Sequence, residues 1–154
     1  MPRFPIVSRD AVPKDQVDAF DAIVSSRGGV VPEFGPVAVQ LHVPEIAQRG
    51  EMLRTYLRAE GSTLPDNVSE LAMITTAREL DCLFIWHAHA AAGRRAGLSN
   101  ALVDALRDKQ ELPPMSTAEL AVISYGREFF RTRRVSQATF DTALAEFGPR
   151  GLVE

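Results

Sequence analysis

The chain has 154 residues, 45% of them hydrophobic and 24% charged, with a net charge of −3 at neutral pH. That length allows one domain with its own core. Lys and Arg are scattered rather than clustered, which argues against nucleic acid or an anionic membrane surface as the main partner. No apolar run approaches the roughly 20 residues of a membrane span. The start, "MPRFPIVSRD", carries two prolines and no apolar core of a signal peptide. A single cysteine cannot build a disulfide framework and fits a reducing cytoplasm.

Helical signals dominate from there on. Pro13 suits a first turn, and Val17, Phe20, Ile23 and Val24 share one helical face. Gly28 and Gly29 stop that helix. "VVPEFGPVAVQLHV" holds three breakers and reads as an irregular connection with one short helical turn. Pro44 opens a second helix, with Ile46, Leu53, Tyr56 and Leu57 expected on its inner side. After "GSTLPDN", Asn67 and Glu70 have capping-box spacing, and Leu71, Ile74, Ala77 and Arg78 follow at helical intervals. Asp81 is placed to cap a helix running from Cys82 to about Ala96, with Arg94 and Arg95 in its last turn and Gly97 beyond. Ser99 caps a short helix to about Lys109, and "QELPP" is a linker. Ser116 and Glu119 form a capping box before a helix to about Arg131. Ser136 precedes a last apolar face of Phe140, Leu144 and Phe147. Strand alternation is absent, so the expectation is one all-α domain over residues 1–154, with six to seven helices.

"DCLFIWHAHAAAGRRAG" holds the cysteine, the tryptophan and two of the three histidines. On a helix turning about 100° per residue, Cys82, Ile85, Trp86 and His89 share one face, and His87 points about 160° away from His89. The two imidazoles therefore cannot ligate one metal from a regular helix, and no metal is expected. A thiol in a helix first turn is favoured as thiolate, although a neighbouring Asp81 opposes this. Glu70 reads either as a capping-box carboxylate or as a partner that sets the tautomer and basicity of His89. Trp86, Ile85 and Cys82 read as core packing or as the wall of a small apolar pocket. His42, on the loop before Pro44, is a further pocket candidate. Arg54, Arg58 and Arg78 read as solvated or ion-paired arginines.

The order of residues in "SELAMITTARELDCLFIWHAHAAAGRRAGLS" resembles the signature of the carboxymuconolactone decarboxylase superfamily, which includes alkylhydroperoxidase D. The family pattern is a glutamate, then a Cys-x-x-Cys-x-x-x-His segment, then a small-residue helix ending in Ala-Gly. Glu70 matches the glutamate, Cys82 the first cysteine and His89 the histidine, while Ile85 stands where the second cysteine would be. A branch with a Trp-x-x-His segment and no cysteine pair is more similar still, through Trp86 and His89. "LHVPEIAQRGEMLRTYLRAEGSTLP" and "RRVSQATFDTALAEFGPRGLVE" resemble the same family, so the likeness runs from Gly28 onward.

The resemblance implies an alkylhydroperoxidase D-like helical domain and a homo-oligomer, commonly a trimer or hexamer, with active sites near subunit boundaries. Such chains continue into another apolar helix after a "GLVE"-like segment, so a C-terminal helix is expected to be missing after Glu154. Redox members need two thiols, one to attack peroxide and one to resolve the sulfenic acid. With Ile85 in the second place that internal cycle is closed to this chain. The expectation is a cofactor-independent, decarboxylase-like lyase acting on a small organic acid, lactone or related carbonyl compound. His89 would move the proton, Glu70 would orient it, and Trp86, Ile85, Cys82 and His42 would line the substrate site. The alternatives are a one-cysteine thiol antioxidant and a non-catalytic ligand-binding oligomer on the same scaffold.

Overall fold

Capping chemistry sets most of the helix ends in the computed structural model, which describes residues 3–154. Eight α-helices and no strands occur among the described residues, so the fold is all-α. None of these helices is long and apolar enough to cross a membrane. The chain divides into two compact units, Met1–Gly61 and Ser62–Glu154.

In the first unit, short 3₁₀ turns at Arg9–Ala11 and Lys14–Gln16 lead into α1, Val17–Ser26. Phe20 and Ile23 of α1 are buried with Val7, Val12, Leu41 and Ala47, and Val17 and Val24 pack against them, which is the face expected from spacing. Gly28 and Gly29 end α1 with φ of 71° and 83°, a region that L side chains resist. Two further helices follow: α2, Pro36–Gln40, and α3, Pro44–Thr55, which widens into a π-helical turn at Tyr56–Glu60.

The expected inner face of α3 is corrected here. Ile46, Leu53 and Tyr56 are 54%, 60% and 50% exposed, and Leu57 is only half-buried. Two apolar stripes compete on this helix, and the smaller one, Pro44 and Ala47, goes inward. Small side chains there leave room for Phe20, Ile23 and Leu41, which fill the core of this unit.

The second unit holds α4, Asp66–Glu79; α5, Leu83–Arg95; α6, Asn100–Asp108; α7, Thr117–Thr132; and α8, Gln137–Val153. Its core is built from Leu71, Ile74, Trp86, Leu102, Leu106 and Ile123, among others. Each such large side chain contributes on the order of 2 kcal/mol by leaving water. Helix α4 lies between α5 and α7 and packs on both. The Ser116–Glu119 capping box and the Ser99 cap of α6 form as the sequence predicts, and Ser136 caps α8. Helix α8 is broken at Gly148, whose φ is 66°, just before Pro149.

Two caps are corrected. Asn67 is inside α4, which starts one residue earlier behind Pro65, so the Asn67–Glu70 box does not form. Both Val68 and Ser69 donate N–H to the Pro65 carbonyl, which fixes that register. Asp81 does not cap α5. It takes the left-handed position, φ 50°, that terminates α4. There the Cys82 N–H reaches back 2.8 Å to the Ala77 carbonyl, the six-to-one bond of a Schellman motif. Cys82 itself becomes the N-cap of α5.

Gly126 marks a close crossing of α7 over α4. A Cβ there would lie 2.9 Å from the Cγ2 of Thr75, a buried and rigid β-branched side chain. Glu79 fastens the same pair of helices. It accepts from Arg131 at 2.7 and 2.8 Å, with Arg127 beside it at 3.6 Å. The Arg131 hydrogen bonds hold the Glu79 carboxyl below the usual carboxylate range despite its burial. A second fastening comes from Glu154, whose side chain is 7% exposed. Burial would push this carboxyl up, but the Thr63 N–H, the Ser62 hydroxyl, Arg150 and the Thr63 hydroxyl outweigh it and hold it at about 2, against an ordinary 4.5.

Gly126→Ala is expected to destabilise the chain by about 1 kcal/mol. The clash costs roughly 1–3 kcal/mol, and the gain in helix propensity returns up to about 1 kcal/mol; denaturant melts measure the difference. The second prediction concerns acid. The folded-state pKa of Glu154 is depressed, so its contribution is fully present above about 4.5 and is lost as pH falls towards about 2. Thermal melts of the parent chain should therefore fall more steeply across that window than those of Glu154→Gln, while the two converge at its acid end.

Candidate functional site

Helices α4 and α5 run against each other in the second unit, and each contributes one side chain to a polar contact. The imidazole of His89 donates from Nδ1 to the Glu70 carboxylate, Oε2, at 2.8 Å. A carboxylate only accepts, so Nδ1 carries the hydrogen and the basic lone pair of the neutral ring lies on Nε2. The two side chains are 12% and 14% exposed, shielded enough to strengthen the contact.

The failed capping box explains how Glu70 is available. Because α4 begins at Asp66, Glu70 is its fifth residue rather than its third. Its carboxylate turns to the neighbouring helix instead of back to its own first turn. Gly93, one turn beyond His89, sets the spacing. A Cβ at Gly93 would lie 3.5 Å from the Glu70 Cβ and 2.8 Å from Leu98 Cδ1. Sequence reading passed over Gly93; its position four residues after His89 was the available signal.

Trp86 is 8% exposed and belongs to the core, with Ile85 packed against it. Cys82 is half-buried, with its backbone at the N-cap of α5. A hollow of about 40 Å³ opens beside it, with Arg78, Leu83, Trp86 and Arg107 in its wall. That is room for a few waters, not for an organic acid, and neither Glu70 nor His89 lines it. The expected grouping therefore divides. Cys82 and Trp86 share the hollow, while Glu70 and His89 pair with each other. His87 is exposed.

His42 belongs to the first unit. Its Nε2 donates to the Pro5 carbonyl at 3.1 Å, and its ring lies 5.1 Å from that of Phe4. Arg54 pairs with Glu51, and Arg78 donates to Asp81 at 2.7 Å. Among the described residues, no group of three or more His, Cys, Asp and Glu side chains is gathered so as to hold a metal ion. No family model matches the chain, and neither does any curated protein or solved structure.

A part-buried carboxylate–imidazole bond predicts measurable coupling. A double-mutant cycle on Glu70→Gln and His89→Ala is expected to return about 1–3 kcal/mol in folding free energy. Additive effects in that cycle would mean the contact does not persist in solution.

Proposed function

We propose that this chain is a cofactor-independent acid–base enzyme, a lyase resembling the carboxymuconolactone decarboxylases, acting on a small organic acid, lactone or related carbonyl compound. The observation that carries the reading is the 2.8 Å bond from His89 Nδ1 to Glu70. It equips one imidazole with a fixed tautomer and a neighbouring anion, the two things a proton-transfer group needs.

In the proposed reaction the substrate carboxylate leaves as carbon dioxide, and its bonding electrons pass into the conjugated carbonyl as an enolate. The His89 imidazolium stabilises that developing charge and then delivers its proton to carbon. Glu70 stabilises the imidazolium and keeps the ring oriented. Cys82, Ile85 and Trp86 supply packing rather than redox chemistry, because a single thiol has no partner in the chain to resolve a sulfenic acid. The working form is proposed to be a cytoplasmic homo-oligomer, a trimer or hexamer by the resemblance. Exposed apolar side chains at Ile46, Leu53 and Tyr56, and at Leu83 and Phe84, support assembly.

The test is carbon dioxide release from a panel of lactone acids and β-keto acids. His89→Ala is expected to lower kcat/KM by about a hundredfold or more, and Glu70→Gln by about tenfold. Cys82→Ala should leave turnover near the parent rate, with about 1 kcal/mol of stability lost. Parent turnover in His89→Ala would refute the acid–base role.

A further inference from the structure

The candidate pair depends on where Glu70 stands, and Glu70 is only the fifth residue of α4. Helix starts fray unless their first N–H groups are capped or the chain ahead of them is tied down. Helix α4 lacks a side-chain cap: Pro65 occupies the N-cap position. The segment ahead of it is tied down instead, by one carboxylate from the far end of the unit. Glu154 Oε2 accepts the Thr63 N–H at 2.7 Å, the Ser62 hydroxyl at 2.9 Å and the Thr63 hydroxyl at 3.2 Å. Its Oε1 accepts from Arg150 Nε at 2.9 Å. The Ser62 hydroxyl oxygen in turn accepts the Leu64 N–H at 3.1 Å. Gly151 lies against the same segment, so close that a Cβ there would sit 3.0 Å from Leu64 Cδ2.

We infer that Glu154 is a positioning residue for the Glu70–His89 pair: by anchoring residues 62–64 it holds the uncapped first turns of α4 in place and keeps the Glu70 carboxylate on His89. The inference deepens the proposed acid–base reading and concerns the same site. Geometry carries it. All three residues ahead of Pro65 are bonded into one network through the Glu154 carboxylate. With the cap absent, this network is what fixes the chain at the point where α4 begins.

The experiment follows the His89 Nδ1–H proton by nitrogen-15 NMR of the full chain and measures its exchange with water. Glu70→Gln serves as the reference in which the carboxylate acceptor is gone. In Glu154→Gln the exchange is expected to be about tenfold faster, as loss of charge-assisted bonds lets the helix start open. Ser62→Ala removes one donor, keeps the charge and should accelerate exchange by a smaller factor; it decides the matter if Glu154→Gln does not fold. Arg131→Ala, which cuts the Glu79 fastening at the other end of α4, controls for general loss of stability and should leave the rate within about twofold of the parent. Parent-rate exchange in Glu154→Gln, or in Ser62→Ala where that variant decides, overturns the inference. So does equal acceleration in Arg131→Ala, which would make the effect one of global stability. The readout needs no substrate, so its failure leaves the proton-transfer proposal standing. An active His89→Ala chain would sink that proposal without touching the anchoring.

Discussion

The closeness of α4 and α5 governs the second unit. At Gly93 the space beside the helix is already filled by Leu98 Cδ1 and bounded by the Cβ of Glu70. Leu98 is held there by the turn that ends α5. Its N–H bonds the Gly93 carbonyl at 2.9 Å, and Gly97 at φ 105° makes the reversal. One glycine thus sets the helix separation, receives the chain reversal and lets Glu70 come within hydrogen-bond reach of His89. A side chain at this position would push against Leu98 first, and through it against the core that Leu98 shares with Trp86 and Leu102.

Charged contacts then orient what the apolar core holds together. Most ion pairs here are exposed, such as Arg9 with Asp21 at 58% and 44%, and contribute little. Besides the Glu70–His89 contact, two shielded carboxylates flank α4. Glu79 is 12% exposed and is gripped by Arg131 from α7, and Glu154 grips the chain ahead of α4. The helix bearing Glu70 is therefore secured from both ends by shielded carboxylates, which suits an element that must present one side chain accurately.

A carboxylate–imidazole contact can serve structure as well as chemistry, so the pair by itself names no reaction. What narrows the proposal is the company it keeps. A single thiol, at the N-cap of α5, removes an internal disulfide cycle. The hollow beside that thiol is far too small for an organic substrate. The proposal therefore rests on the Glu70–His89 contact rather than on the thiol or its hollow.

The sequence by itself determined that the chain is helical, and where most helices stop and start. Ser99, Ser116 with Glu119, Ser136, Gly28 and Gly97 act on neighbours three or four residues away, so their effect is readable from spacing alone. It also offered Glu70 two roles, and could not choose between them. The choice was made by tertiary structure, because α4 starts two residues earlier than an Asn67 cap would place it, behind Pro65, and His89 stood across from the carboxylate that was released. Asp81 went the same way: ending α4 in a left-handed turn excluded capping α5. On α3, spacing pointed to Ile46, Leu53, Tyr56 and Leu57, whereas Pro44 and Ala47 are buried, since that depended on the bulk of Phe20, Ile23 and Leu41 opposite. The hold of Glu154 on Ser62 and Thr63 spans 91 to 92 residues. No local pattern encodes such a contact; it exists only because the packed helices bring those ends of the unit together.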